Sequence, residues 1–315
     1  MLLQLVIAAA SLGILYLGAE LLVKGASRMA AAARISPVVV GLTVVAFGTS
    51  LPELSVSTLA SLEGASDVAL GNVVGSNIFN VAFILGLSTV VRPLPIGRSL
   101  LTRDMPLMVL VSFGLLGLAW DGELARYDAA LLLLLFGAYC AFTFRDARAT
   151  GPGSAASEPR PRAGRPRNLV AIVLGLGLLV GGGQLLIRSG TEIARALDVP
   201  ELVIAVTLVA AGTSLPEFAT SVVAAARRET EIAVGNIVGS NLFNILAILG
   251  VAALIDPLAV AEPALRYHLP VMVAVACLLL PLAITRSRLS RWEGVLLLGT
   301  YVAYCVALIL VDGTR

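Results

Sequence analysis

The chain has 315 residues, 58% of them hydrophobic and only 13% charged, with a mean hydropathy of +0.95 and a formal net charge of +2. That composition lies far outside the range of soluble globular domains and marks a membrane protein. The small net charge leaves no nucleic-acid footprint.

Apolar runs of about 17–25 residues, the length that crosses roughly 30 Å of hydrocarbon, recur along the whole chain. Ten spans are expected, at about 2–23, 38–62, 68–91, 104–120, 124–144, 169–188, 201–226, 231–255, 268–286 and 291–311. The first has no charged leading segment and no small-residue cleavage site, and it continues through Glu20 to Lys24, so it reads as a retained span. Glu20 lies near its end with Lys24 one turn on, a structural i, i+4 pair. Cys140, Cys277 and Cys305 all fall inside spans and predict no disulfide framework.

The second span carries GTSLPE at Gly48–Glu53 after the apolar run GLTVVAF. Pro52 cannot donate to the Gly48 carbonyl and its ring clashes there, so the helix is predicted to break just before Glu53. Thr49, Glu53 and Ser57 share one face, with Ser50 three residues before the carboxylate. The third span adds a polar stripe at Asn72, Ser76 and Asn80, and its Gly71 and Gly75 predict close helix packing.

Between the fifth and sixth spans lies RDARATGPGSAASEPRPRAGRPRN, Arg145–Asn168, the one extended polar stretch. Its Pro, Gly, Ser and Arg content cannot build a core and predicts a flexible cytoplasmic linker. It divides the chain into 1–144 and 169–315. Aligning 41–87 on 205–251 needs no gap, holds a constant offset of 164 and gives 23 identities in 47 positions. Each polar position returns: Thr213, Ser214, Glu217 and Ser221 in the seventh span, and Asn236, Ser240 and Asn244 in the eighth, with Pro216 repeating Pro52 and Gly235 and Gly239 repeating Gly71 and Gly75. An odd number of spans per half inverts the second copy in the membrane. That is the plan of secondary transporters, whose site lies near the midplane where the repeats meet.

Basic residues set the orientation. With the N-terminus outside, 17 of the 22 Lys and Arg residues face the cytoplasm, among them Lys24, Arg28, Arg34, Arg92, Arg98, Arg103, six arginines of the linker, Arg227, Arg228, Arg286, Arg288 and Arg291. Ten spans return the C-terminus to the outside. His268, the only histidine, falls at an outer boundary and is assigned no role.

Two intramembrane carboxylates with hydroxyls, amide oxygens and backbone carbonyls make an all-oxygen set, the chemistry of hard cations such as Ca²⁺. An intramembrane carboxylate also serves as a structural partner to a buried base in some proteins, but neither broken segment contains one. Proton carriage by Glu53 and Glu217 and a channel lined by the same oxygens are the alternative readings. An intramembrane hydrolase with Ser50 or Ser214 as nucleophile would need a histidine base, and neither repeat holds one. The chain therefore reads as a transporter, not an enzyme.

At GTSLPE with GNVVGSNIFN, and again at GTSLPE with GNIVGSNLFN, the sequence resembles the calcium/cation antiporter superfamily, in particular its prokaryotic sodium/calcium exchanger branch. The resemblance covers all ten spans. It implies an all-α polytopic fold of two inverted five-helix repeats, with helices 2, 3, 7 and 8 broken, in the plasma (inner) membrane. It further implies exchange of cytoplasmic Ca²⁺ for external Na⁺ by alternating access, with H⁺ as the alternative coupling ion. Carried over residue by residue, a central Ca²⁺ site would use Glu53 and Glu217 with the carbonyls of Thr49 and Thr213. Flanking Na⁺ sites would use Ser50, Ser76 and the Ala46 carbonyl on one side, and Ser214, Ser240 and the Ala210 carbonyl on the other. Asn80 and Asn244 would complete the middle. Some members carry aspartate where this chain has Asn244, and the amide implies no potassium coupling. The short linker leaves no room for the Ca²⁺-sensing domains of the animal exchangers.

Overall fold

The computed structural model describes residues 2–150, 165–197 and 212–312. The middle of the expected linker and the first half of the seventh span, with Ala210, lie outside the described residues. The elements are α1 (Leu2–Ala33), α2 (Pro37–Thr49), α3 (Leu51–Leu62), α4 (Ser66–Val91), β1 (Leu94–Pro95), α5 (Leu100–Asp121), β2 (Glu123–Leu124), α6 (Arg126–Thr150) and α7 (Arg165–Ala196). They continue with α8 (Leu215–Ala226), α9 (Thr230–Ile255), β3 (Leu258–Ala259), α10 (Ala264–Ile284), β4 (Arg288–Leu289) and α11 (Arg291–Asp312). Among the described residues seven helices are long and apolar enough to cross a membrane, eight when the bent pair α2 and α3 counts as one span. Large apolar side chains such as Leu12, Leu17, Val173 and Leu174 are exposed while Glu53, Asn80, Glu217 and Asn244 are fully buried, the reverse of a soluble protein.

The helices assemble into two compact units, Met1–Glu53 with Ala138–Ser240, and Leu54–Gly137 with Asn241–Arg315. Each draws on both halves of the sequence. In the first, α1 and α7 pack along their length, and glycine lets their backbones meet. A Cβ on Gly175 would lie 2.7 Å from the Leu22 nitrogen, and one on Gly18 would lie 2.9 Å from the Gly175 carbonyl oxygen. With no hydrophobic force between helices in lipid, such close backbone approach supplies the association.

The same device joins α2 to α9 in this unit. A Cβ on Gly235 would sit 2.9 Å from the Val38 carbonyl oxygen, and one on Gly239 would sit 2.6 Å from the Leu42 oxygen and 2.7 Å from its Cα. Backbone cannot rotate aside as a side chain can. Gly239→Ala should therefore cost about 1–3 kcal/mol of overpacking strain and lower the melting temperature in detergent by several degrees. Gly299→Ala, where nothing lies within 4 Å, should leave it unchanged; equal effects at the two positions would refute the packing argument. Gly71 and Gly75 meet nothing within 4 Å among the described residues. The positions that repeat Val38 and Leu42, 202 and 206, are not among them.

At one end of this unit Glu20 bonds Lys24 as expected, and it also takes Arg227 at 2.7 Å. Arg227 donates to the Tyr16 hydroxyl at 3.2 Å as well. Ser27 donates to Glu229 at 3.0 Å and Ser36 to Glu231 at 3.1 Å. The end of α1 and the turn between α8 and α9 thus share one side, as the distribution of basic residues requires.

In the second unit β1 pairs antiparallel with β4, Leu94 opposite Leu289, and β2 with β3, Glu123 opposite Ala259. Between β1 and β2 runs α5, whose 22 residues span about 33 Å at 1.5 Å per residue. The two ladders therefore stand at opposite ends. Arg92, Arg98, Arg103, Arg286 and Arg291 flank the β1–β4 ladder, and Asp121, Asp128, Asp256 and Glu262 flank the β2–β3 ladder. Since β3 repeats β1 at the offset of 164, the same segment of sequence lies at one end in its first copy and at the other end in its second.

Two expectations about helix breaks are corrected. The interruption falls at Ser50, not just before Glu53. Ser50 takes φ −84° and ψ 10°, and α3 restarts at Leu51, because proline is tolerated in the first turn of a helix where its missing N–H has no partner to lose. Across that point α2 and α3 bend by 47°. Helices α4 and α9 run on without interruption. In place of breaks they carry π-helical stretches, at Phe79–Leu85 and Asn244–Ile248, which widen the turn while keeping the backbone bonded.

Candidate cation site

The first unit builds its polar centre from the two copies of GTSLPE. Ser214 ends its turn at φ −87° and ψ 9°, within a few degrees of Ser50, and α8 restarts with Pro216 in its first turn. Both serines occupy the sparsely allowed bridge region that functional residues favour. Each restart also places its glutamate, Glu53 or Glu217, in the first turn of a helix. There the positive end of the helix dipole offsets a negative charge.

The two motifs then bond crosswise. Ser50 Oγ donates to Glu217 Oε1 at 2.7 Å, and Ser214 Oγ donates to Glu53 Oε1 at 2.8 Å. Each serine thus serves the carboxylate of the other copy, so the two glutamates sit side by side, both fully buried. Ser240 is buried in the same unit. Among the described residues no cluster of three His, Cys, Asp or Glu side chains occurs, so the centre is two acids among neutral oxygens.

Surrounding bonds hold the frame. Thr49 Oγ1 lies 3.1 Å from the Val45 carbonyl, 3.3 Å from the Ala46 carbonyl and 3.2 Å from Asn236 Oδ1. Its single hydrogen serves one of these at a time. Asn236 in turn donates to Ser221 Oγ at 3.0 Å. The Ala46 carbonyl accepts the Ser50 N–H at 3.0 Å, which leaves one lone pair for another partner.

In the second unit Asn72 donates to Ser57 Oγ at 2.9 Å, the counterpart of the Asn236–Ser221 bond at the repeat offset. Ser76, Asn80 and Asn244 are buried there. Asn80 Nδ2 donates to Asn241 Oδ1 at 3.0 Å and Asn244 Nδ2 to Asn77 Oδ1 at 2.9 Å. Asn80 Oδ1 and Asn244 Oδ1 are buried with no hydrogen-bond partner among the described residues. A buried carbonyl oxygen without a donor costs about 1–3 kcal/mol unless another partner takes it. Of the twelve positions named from sequence, eight, with Ser240 and Ala46 among them, therefore fall in the first unit's polar centre or its frame, and Ser76, Asn80 and Asn244 in the second unit; Ala210 is outside the described residues. Asn77 and Asn241 are not among those twelve: both stand in the GSN shared by GNVVGSNIFN and GNIVGSNLFN, but they lie off the Asn72, Ser76, Asn80 stripe.

Fold and site define the class: an all-helical, multi-pass membrane protein with a buried, oxygen-rich centre suited to a hard cation. The family model for sodium/calcium exchanger proteins matches residues 3–145 and 167–310, and the chain belongs to that family. It is 37% identical over 298 residues to the inner membrane protein YrbG of Escherichia coli, covering 92% of each chain. It is 35% identical to the sodium/calcium exchanger MaX1 of Methanosarcina acetivorans, over 94% of this chain and 96% of that one. Among solved structures it is similar to the sodium-calcium exchanger NCX_Mj, with a TM-score of 0.85 and 32% identity over 98% of this chain and 99% of that one.

Proposed function

We propose that the chain is a secondary antiporter that exchanges cytoplasmic Ca²⁺ for external Na⁺ across the plasma membrane. The observation that carries this reading is the crosswise bonding of Ser50 to Glu217 and Ser214 to Glu53. It places two acids together, at the positive ends of two short helices. Such a pair is held together when a cation lies between them and repels itself otherwise.

In this reading Glu53 and Glu217, with the carbonyls of Thr49 and Thr213, ligate Ca²⁺. Ser50, Ser76 and the Ala46 carbonyl, and Ser214, Ser240 and the Ala210 carbonyl, ligate Na⁺. Asn80 and Asn244 are further oxygen donors. Their buried, unbonded amide oxygens support that role. Ten spans form two inverted five-helix repeats joined by the cytoplasmic linker, with both termini outside. The ladders that place β1 and its copy β3 at opposite ends support the inversion, and the excess of arginines at one end and of acids at the other supports the orientation. Loading the site with Ca²⁺ or with Na⁺ neutralises the glutamates and lets helices 2–23 and 169–188, joined by their glycine contacts, slide past the ligand-bearing helices.

Uptake of radioactive Ca²⁺ into proteoliposomes tests the whole reading. An outward Na⁺ gradient should drive uptake with no K⁺ present, because the amide at Asn244 adds no charge for a second cation. Uptake driven by a pH gradient alone would establish H⁺ coupling instead. Ca²⁺ entry without any counter-ion would establish a channel.

A further inference from the structure

A carboxamide has an accepting end and a donating end of nearly the same shape, and only the oxygen end can ligate a cation. Turned by 180°, Asn80 or Asn244 would offer an N–H₂ group to the ion. What fixes the choice can be followed bond by bond in the second unit.

Asn241 Nδ2 lies 3.3 Å from the Asn77 carbonyl oxygen and 3.6 Å from the sulfur of Met108. Asn77 Nδ2 lies 3.4 Å from the Asn241 carbonyl oxygen and 3.7 Å from the sulfur of Met272. A backbone carbonyl and a thioether can only accept. The ends of Asn77 and Asn241 that face them must therefore be nitrogen, and their oxygens point the other way. Those oxygens receive Asn244 Nδ2 at 2.9 Å and Asn80 Nδ2 at 3.0 Å. The donating ends of Asn80 and Asn244 are thereby occupied, and their fully buried Oδ1 atoms are left with no hydrogen-bond partner among the described residues. The four amides obey the repeat offset of 164, Asn77 matching Asn241 and Asn80 matching Asn244.

We propose that Asn77 and Asn241 are positioning residues that lock Asn80 and Asn244 with their amide oxygens toward the transported cation. The backbone of each helix sets the orientation of an amide on the other, which sets the orientation of a ligand. The inference rests on the reading of Asn80 and Asn244 as ligands. It adds that a carboxylate at 80 or 244, with oxygen at both ends, would need no such orienter.

That contrast supplies the test, read as Ca²⁺ affinity of the full-length protein in detergent, with size-exclusion behaviour and melting temperature as checks on folding. Asn241→Leu, of similar volume, should weaken Ca²⁺ binding by about tenfold or more, the usual effect of losing a group that orients a metal ligand. Adding Asn80→Asp to Asn241→Leu should restore most of that loss. Asn80→Asp alone should bring no gain, because one of its oxygens meets Asn241 Oδ1. A merely structural role for Asn241 would not produce this reversal of the Asn80→Asp effect between the two backgrounds. Asn77→Leu with Asn244→Asp repeats the cycle through the other pair. Parent-like affinity in Asn241→Leu, failure of Asn80→Asp to recover it, or a gain from Asn80→Asp alone would each overturn the proposal. Asn80→Leu separates the two layers: if it binds Ca²⁺ like the parent, Asn80 is not a ligand, whereas loss in Asn80→Leu with none in Asn241→Leu leaves the ligand and removes its orienter.

Discussion

Glu53→Gln and Glu217→Gln should each abolish Na⁺-driven Ca²⁺ uptake while leaving a folded, monodisperse protein. Glutamine keeps the shape of the side chain and can still accept from the serine of the other copy, Ser214 for position 53 and Ser50 for position 217. What it removes is one of the two charges that replace the hydration of Ca²⁺. Truncating one partner of a buried charge pair costs about 3–5 kcal/mol, or roughly two to three and a half orders of magnitude in affinity. The two variants should be equally impaired, because the two copies share backbone angles and bonding pattern. Near-parent uptake by either folded variant would remove the glutamates from the site. Equal loss of folding and transport would make them structural instead.

The parts of this arrangement that could be read from sequence are those that repeat. Two identical GTSLPE motifs at a fixed offset announce two equivalent breaks, and the acids within them are conspicuous against apolar surroundings. The break lies a few residues ahead of the place that the clash of Pro52 with the preceding turn predicts, because a helix can restart with proline in its first turn. In the third and eighth spans the family resemblance implies interruption. Backbone bonding in lipid is too costly to forgo, and the chain adopts π-helical stretches at Phe79–Leu85 and Asn244–Ile248 instead. The crosswise service of each glutamate by the other copy's serine was not legible. Helical periodicity relates residues on one helix, and Ser50 and Glu217 stand 167 residues apart. The same limit hid Asn77 and Asn241, whose partners belong to the other copy of the motif.

Exchange should be electrogenic, and the expectation follows from the charge at the site. Glu53 and Glu217 carry two negative charges when ionised, so one Ca²⁺ gives a neutral loaded state. Three Na⁺, the number the serine and carbonyl positions could host by family resemblance, leave one positive charge in excess. One net positive charge then crosses in the direction of Na⁺ flow in each cycle. Moving one charge through the membrane potential is worth about 2.3 kcal/mol per 100 mV, which corresponds to about fiftyfold in the Ca²⁺ gradient sustained at equilibrium. In liposomes preloaded with Na⁺, a valinomycin-set inside-positive potential helps the excess charge leave and should accelerate Ca²⁺ uptake. An inside-negative potential should slow it. In a cell, where the interior is negative, the same coupling should drive Ca²⁺ outward. A rate and a final gradient indifferent to voltage in both directions would mean two monovalent cations per Ca²⁺, and would reject a third Na⁺ at the serine positions while leaving the paired glutamates in place.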